Sequence, residues 1–133
     1  MSRLNAIESA GAPRAIGPYS QAVTADGWVF TAGQLGLDPE SGALLDGVQA
    51  QTRRALDNLV AVLGAAGCSL ADVVKATIFL ADLEDFGVVN GVWSEYFGEC
   101  PPARSTVGVA ALPRGGRVEI ELVARQPGTA ALS

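Results

Sequence analysis

Hydrophobic positions along the chain follow two periods. Val48, Thr52, Ala55, Leu56, Leu59, Leu63 and Ala66 recur at helical spacing and predict an amphipathic helix. Asp46 is placed to cap it, with Gln49 three residues on completing a capping box, and Gly67 is placed to stop it. Arg53, Arg54 and Asp57 fall on the other face, so this helix covers a core on one side. Phe86, Val89, Trp93, Tyr96 and Phe97 form the stripe of a second helix, opened by Asp82 and ended by Gly98. These aromatic side chains read as core packing rather than as a stacking platform for bases. Asn90-Gly91 conflicts with that helix, because the pair favours turns and Gly costs a helix interior about 1 kcal/mol relative to Ala. Such a conflict marks a position that needs a small residue or an amide.

The other period is two. Residues 20–34 read as extended, with Trp28-Val29-Phe30-Thr31 preceded by the hairpin signal Asp26-Gly27. A further extended piece is expected near residues 3–8. Val73 to Ala81 alternates with apolar residues on both faces, which predicts a central strand. Arg104 to Ala111 and Val118 to Arg125 complete the set, the latter in strict alternation. Strands interleaved with two helices predict one α+β domain over residues 1–133, a sheet with both helices on one face. Pro39-Glu40-Ser41-Gly42 and Pro113-Arg114-Gly115-Gly116 read as turns within it.

Composition narrows the chemistry. At 133 residues the chain fits one domain, and with 49% hydrophobic and 17% charged residues it is globular in type. A net charge of −5 makes a poor footprint for nucleic acid or an anionic membrane surface. Cys68 and Cys100 stand far apart with no CxxC, which suits a reducing cytoplasm. No signal peptide opens the sequence and no apolar run reaches membrane-spanning length. The chain has no histidine. That removes Ser-His-Asp and Cys-His catalysis and the histidine-based zinc sites, and leaves carboxylate, Lys, Tyr, Cys or water as general base.

Four places could carry chemistry. Arg104 follows Pro101-Pro102, prolines that fix the approach of the chain. A guanidinium so mounted can grip a small carboxylate with two parallel N–H groups; the alternative is a surface arginine whose stem covers apolar area. Glu119 and Glu121 share one strand face, either solvated or lining a cleft. Gly17-Pro18-Tyr19-Ser20 is a tight turn that exposes a phenol. Thr31-Ala32-Gly33-Gln34 ends a strand at a glycine, as a bulge or as a close approach to a ligand. If the last two strands paired as a direct hairpin, Arg104 and Glu119 would lie about 20 Å apart along it. A shared site then requires a different pairing or a subunit boundary, which favours an oligomer with interface sites.

Taken in order, these fragments resemble the RidA (YjgF/YER057c/UK114) family from about residue 8 to residue 125. The matching segments are Pro102-Ala103-Arg104-Ser105-Thr106-Val107, Ala110 and Leu112, Val118-Glu119-Ile120, Ile16-Gly17-Pro18-Tyr19-Ser20-Gln21, Thr31-Ala32-Gly33-Gln34, and Asp85-Phe86 with Val89-Asn90. The resemblance implies a chorismate-mutase-like mixed sheet with two helices on one face, in a homotrimer with sites between subunits. It implies hydrolysis of reactive enamines and imines, 2-iminobutanoate and 2-iminopropanoate, to 2-oxo acids and ammonia. No metal or other cofactor is implied. Arg104 would hold the substrate carboxylate and Glu119 would activate water. Tyr19 would line the pocket and Asn90 would project into it. Backbone groups around Gly33 and Thr106 would contact the substrate. Two positions depart from the family's pattern: Ala32 replaces a frequent serine and Thr106 a frequent cysteine. A member that binds small carboxylates without turning them over is the alternative. Ribonuclease activity is the weakest candidate for an acidic chain without histidine.

Overall fold

A computed structural model of the chain describes residues 4–128; residues 1–3 and 129–133, where the expected domain begins and ends, lie outside the described residues. Seven strands form one mixed sheet: β1 (Asn5–Ile7), β2 (Ala22–Ala25), β3 (Trp28–Thr31), β4 (Gln34–Leu35), β5 (Val73–Leu80), β6 (Ala103–Gly108) and β7 (Val118–Arg125). Their spatial order is β1-β2-β3-β7-β5-β6, with β4 also on β7. Two helices, α1 (Val48–Ala65) and α2 (Phe86–Tyr96), complete it.

Local chemistry explains most boundaries. Asp26 and Gly27 both take positive φ, 51° and 84°, the turn that matches the twist of a two-residue hairpin. Gly67 at φ 79° ends α1, with Cys68 N–H bonding Leu63 O at 2.8 Å and Gly67 N–H bonding Gly64 O at 3.1 Å. The start of α1 differs from expectation. Gly47, not Asp46, precedes the first turn, and no side chain caps it. Gly47 enters at φ 91° and ψ 148°, a conformation open to glycine, which leaves Asp46 one residue too far upstream. α2 is also displaced. Asp82 instead caps a short 3₁₀ turn over Leu83–Asp85, accepting from Glu84 N–H at 2.9 Å.

The core lies between the helices and one sheet face. Leu56, Leu59, Val62 and Leu63 of α1 meet Ala76, Ile78 and Leu80 of β5 and Val118, Ile120 and Leu122 of β7, all at most 1% exposed. Each large side chain so buried stabilises the fold by about 1.5–3 kcal/mol. The stripe of α2 is narrower than its pattern predicts: Val89, Val92, Trp93 and Phe97 are buried, whereas Phe86 is 42% exposed and Tyr96 turns its hydroxyl to Asp57 at 2.8 Å. β5 is central, flanked by β7 antiparallel and β6 parallel. The sheet face away from the helices has no layer over it among the described residues. Phe30 and Val107 stand 46% and 42% exposed there, in register with Val123 and Phe79.

β6 and β7 therefore do not pair, because β5 separates them. Arg104 is level with Ala76 and Leu122, and Glu119 is level with Phe79 and Val107. Their Cα atoms are thus about 14 Å apart, two strands across and three residues along. Alternation puts Glu119 opposite the buried row Val118, Ile120, Leu122 and Ala124, on the uncovered face. Arg104 is on the helix face. Within one chain the two side chains point away from each other.

Candidate functional site

The site residues read from the sequence fall into two groups. The first is at the open edge of the sheet. Arg104 lies on edge strand β6 and reaches under α2, where its Nη2 donates to Asn90 Oδ1 at 2.6 Å. Its Cζ sits 5.6 Å from the Phe86 ring centroid and 5.3 Å from that of Trp93. Two aromatic faces and a neutral amide hold the guanidinium without neutralising it. No carboxylate pairs with it among the described residues. Burial lowers its pKa, and an arginine remains a cation even so. Thr106, two residues on, shares this face.

The position of α2 explains the Asp85-Phe86…Val89-Asn90 motif. Asp85 is buried and accepts from Arg117 Nη2 at 3.0 and 2.8 Å, which ties the start of α2 to the start of β7. Phe86 then reaches the guanidinium and Asn90, one turn later, holds it. The amide demanded by the Asn90-Gly91 conflict is accounted for by this bond.

The second group lines a cavity of about 690 Å³ that includes Tyr19, Gly33, Glu119, Arg14 and Arg114. A bulge builds it. Phe30 pairs Val123 and Gln34 pairs Ile120, so four steps along β3–β4 match three along β7. Thr31 Oγ1 accepts from Leu122 N–H at 2.9 Å inside the bulge. Gly33 lies against Glu119: a Cβ there would stand 2.7 Å from its carboxyl carbon. The bulge and the close approach are thus one feature, although the group approached is Glu119. Burial raises the Glu119 pKa, and the charge of Glu121 adds to it.

Gln21 holds the loop carrying Tyr19. It is 3% exposed, and its Nε2 donates to the carbonyls of Ser9 at 3.2 Å and Pro13 at 2.8 Å while its Oε1 accepts from Ser9 N–H at 2.6 Å. The Tyr19 hydroxyl accepts from Ile16 N–H at 3.3 Å. Sequence reasoning missed Arg14 and Arg114 as lining residues. Pro113-Arg114-Gly115-Gly116 signals only a turn, and Arg114 sits in it at φ 60°. Nothing in their spacing tells that the two loops meet.

A mixed sheet backed by two helices thus carries an unneutralised arginine at one edge and a carboxyl of raised pKa in a cavity. The chain matches the family described as Endoribonuclease L-PSP over residues 9–126, and it belongs to that family, the RidA/YjgF group its motifs resemble. It is 54% identical over 121 residues to the 2-iminobutanoate/2-iminopropanoate deaminase of Bos taurus, covering 90% of this chain and 88% of that one. The crystal structure of RidA from the Antarctic bacterium Psychrobacter sp. PAMC 21119 superposes with a TM-score of 0.89 at 47% identity, over 91% of this chain and 98% of that one. That of Escherichia coli TdcF with bound serine gives 0.89 at 42% identity, over 92% and 98%. Among the described residues, no helix is long and apolar enough to cross a membrane.

Proposed function

We propose that this protein is a 2-iminobutanoate/2-iminopropanoate deaminase, hydrolysing reactive imines to 2-oxo acids and ammonia. The observation that carries the reading is Arg104: a half-buried cation on a rigid edge strand, with aromatic walls and no acidic partner among the described residues. It is suited to a small ligand's carboxylate. The names of relatives such as the bovine deaminase point to the same substrates.

Glu119 supplies the acid–base step. A protonated imine is already electrophilic at C2. The Glu119 carboxylate takes a proton from water as its oxygen bonds to C2, forming a tetrahedral carbinolamine. Proton return from Glu119 to nitrogen makes ammonia the leaving group, and the C–N bond breaks as the Glu119 carboxylate takes the hydroxyl proton and C2 becomes a ketone. A raised pKa suits a group that must first accept and then return a proton. Tyr19 and the backbone at Gly33 and Thr106 border the substrate.

Arg104 and Glu119 point to opposite faces of one sheet, so they act together only across a boundary between subunits. We place the site in the clefts of a homotrimer. The uncovered apolar face around Phe30 and Val107 supports burial against further copies. RNA cleavage, which the family's description names, fits these residues poorly: the net charge is −5 and no histidine is present.

The test adds the protein to a threonine dehydratase reaction and follows 2-oxobutanoate. Faster release is expected, lost in Arg104→Ala. No acceleration while free imine accumulates would overturn the reading. Saturable 2-oxobutanoate binding without acceleration would make the protein a carboxylate binder instead.

A further inference from the structure

Four amide side chains are buried among the described residues: Gln21, Gln34, Gln51 and Asn58. Three are engaged. Gln21 holds the Ser9 and Pro13 carbonyls, Gln51 bonds Leu45 O and Arg117 N–H, and Asn58 donates to Leu37 O at 3.0 Å. Gln34 is the exception. It is 7% exposed, and its amide bonds no group among the described residues. A buried amide without a partner costs free energy that an apolar side chain of similar length would not. The amide is not sealed from solvent either: among the described residues, Thr106 Oγ1 is the side-chain atom both sealed and unpartnered. The Gln34 amide therefore opens into the cavity that Gln34 lines.

This amide stands beyond Glu119. Gln34 pairs Ile120 and Leu35 pairs Glu119, so Gln34 is one step along from Glu119 and leans to the helix side of the sheet. Two cations, Arg14 and Arg114, line the same cavity. Arg14 follows Pro13, whose carbonyl accepts from Gln21 at 2.8 Å. Arg114 sits at φ 60° in a turn closed by Gly116 N–H on Pro113 O at 3.0 Å. Neither guanidinium makes an ion pair or a hydrogen bond among the described residues. Besides Glu119, the carboxylate lining the cavity is Glu40. At about 690 Å³ the cavity is in the size range of drug-sized ligands, and a four-carbon imine leaves its far wall untouched.

We propose that this wall is a second carboxylate subsite, and that the protein also hydrolyses 2-imino dicarboxylic acids such as 2-iminoglutarate. The proposal rests on the deaminase reading of the cleft. The C1 carboxylate takes Arg104 and C2 lies at Glu119, as for the smaller imines. The tail carboxylate accepts from the Gln34 amide and is drawn in by Arg14 and Arg114. It supplies the partner that the amide lacks. The chemistry is unchanged: one water adds at C2, ammonia leaves, and the product is a 2-oxo dicarboxylate.

The experiment compares two imines of equal length, 2-iminoglutarate and 2-iminopentanoate, formed from glutamate and norvaline by amino-acid oxidases with catalase present. Affinities for 2-oxoglutarate and 2-oxopentanoate are measured by calorimetry, and thermal unfolding checks that each variant is folded. Wild type is expected to favour the dicarboxylate about tenfold, in kcat/KM and in affinity. Gln34→Met lowers that ratio by about threefold or more, and so does the pair Arg14→Ala with Arg114→Gly. Glycine suits the positive φ at 114. The two changes are independent, so if one variant misfolds the other decides. A wild-type preference that is absent or reversed overturns the proposal, as does one that survives both changes. If neither imine is hydrolysed faster, the deaminase reading fails. The 2-oxo acid affinities then decide the subsite alone: preference for 2-oxoglutarate, lost in the variants, sustains it, and equal affinity overturns it.

Discussion

The Arg104 edge and the Glu119 cavity are built from different kinds of backbone. Arg104 stands on a regular strand and is held by a regular helix, through Asn90, Phe86 and Trp93. Glu119 also stands on a regular strand, but its surroundings are a bulge at Gly33, the loop of Tyr19 and the turn of Arg114. A binding group gains from a fixed direction, because a carboxylate must meet two N–H groups at once. A proton-transfer group gains from controlled burial, and irregular backbone supplies it by bringing Gly33 against the carboxyl. The contrast predicts that substitutions at the two places separate cleanly in kinetics.

The largest effect belongs to the cavity. Glu119→Gln keeps shape and removes the proposed base, so kcat is expected to fall by about a thousandfold with little change in KM. The pH dependence checks the assignment. Because burial raises the Glu119 pKa, the acid limb of kcat/KM lies above the ordinary carboxylate range, and Glu119→Gln abolishes it. Stability carries the opposite sign. A carboxyl whose folded pKa is raised favours the native state at low pH, and that contribution is lost as pH rises through the folded value. Glu119→Gln therefore gains on wild type in unfolding temperature as pH rises from the ordinary carboxylate range through the folded value of Glu119. A constant difference across that range would show that burial does not govern this carboxyl.

Arg104→Ala comes next. It is expected to lower kcat/KM about a hundredfold, chiefly through KM, with Arg104→Lys recovering only part because a single ammonium lacks the fork. Mixing the two impaired variants, assayed at substrate well below the KM of Arg104→Ala, tests where the halves meet. If one subunit supplies Arg104 and its neighbour Glu119, random trimers of Arg104→Ala and Glu119→Gln chains hold intact sites at about a quarter of their interfaces. Recovery to about a quarter of wild-type activity is expected. No recovery after unfolding and reassembly together would mean that both groups act within one chain.

How much of this the sequence discloses depends on range. The helical stripe of α1, the Asp26-Gly27 turn and the alternation of β7 are local patterns, and each predicts its element. The cap of α1 fails because a glycine at positive φ replaces the side-chain device that Asp46 and Gln49 resemble. Gln49 is instead exposed, while Gln51, 3% exposed, donates to Leu45 O at 2.9 Å and accepts from Arg117 N–H at 2.8 Å. In the site, Arg104 and Asn90 are legible as two separate oddities: an arginine after paired prolines and an asparagine inside a helix. Their bond spans 14 residues and depends on how α2 packs, which no local pattern encodes. The arginines of the cavity are less legible still, since Arg14 and Arg114 come to line one cavity only through folding.

Gly33 gives a smaller effect that joins the two kinds of backbone. Gly33→Ala puts a Cβ within 2.9 Å of three Glu119 atoms, so the carboxyl must move or the bulge must open. The expected cost is about 1–3 kcal/mol in stability and about a tenfold fall in kcat with KM nearly kept. Chemical denaturation and steady-state kinetics on the same preparation check both. An unchanged kcat would show that the carboxyl's contact with Gly33 is incidental.

The smallest effect belongs to Asn90. Its amide fixes one N–H of Arg104 at 2.6 Å, while the rings of Phe86 and Trp93 flank the same guanidinium. Removing the amide leaves those rings in place, so the charge stays near the edge but loses one of its restraints. Asn90→Ala also relieves the helix of a residue that favours it poorly, which offsets part of the stability lost with the bond. The variant is therefore expected to fold with nearly wild-type stability and to raise KM about three- to fivefold at unchanged kcat. Asn90→Asp should do the opposite of a conservative change: its carboxylate would neutralise Arg104 and compete with the substrate, so KM rises further than in Asn90→Ala. If Asp binds substrate as well as Asn, the neutral partner is not what keeps Arg104 available, and the contrast between a held cation and a tuned carboxyl loses its first half.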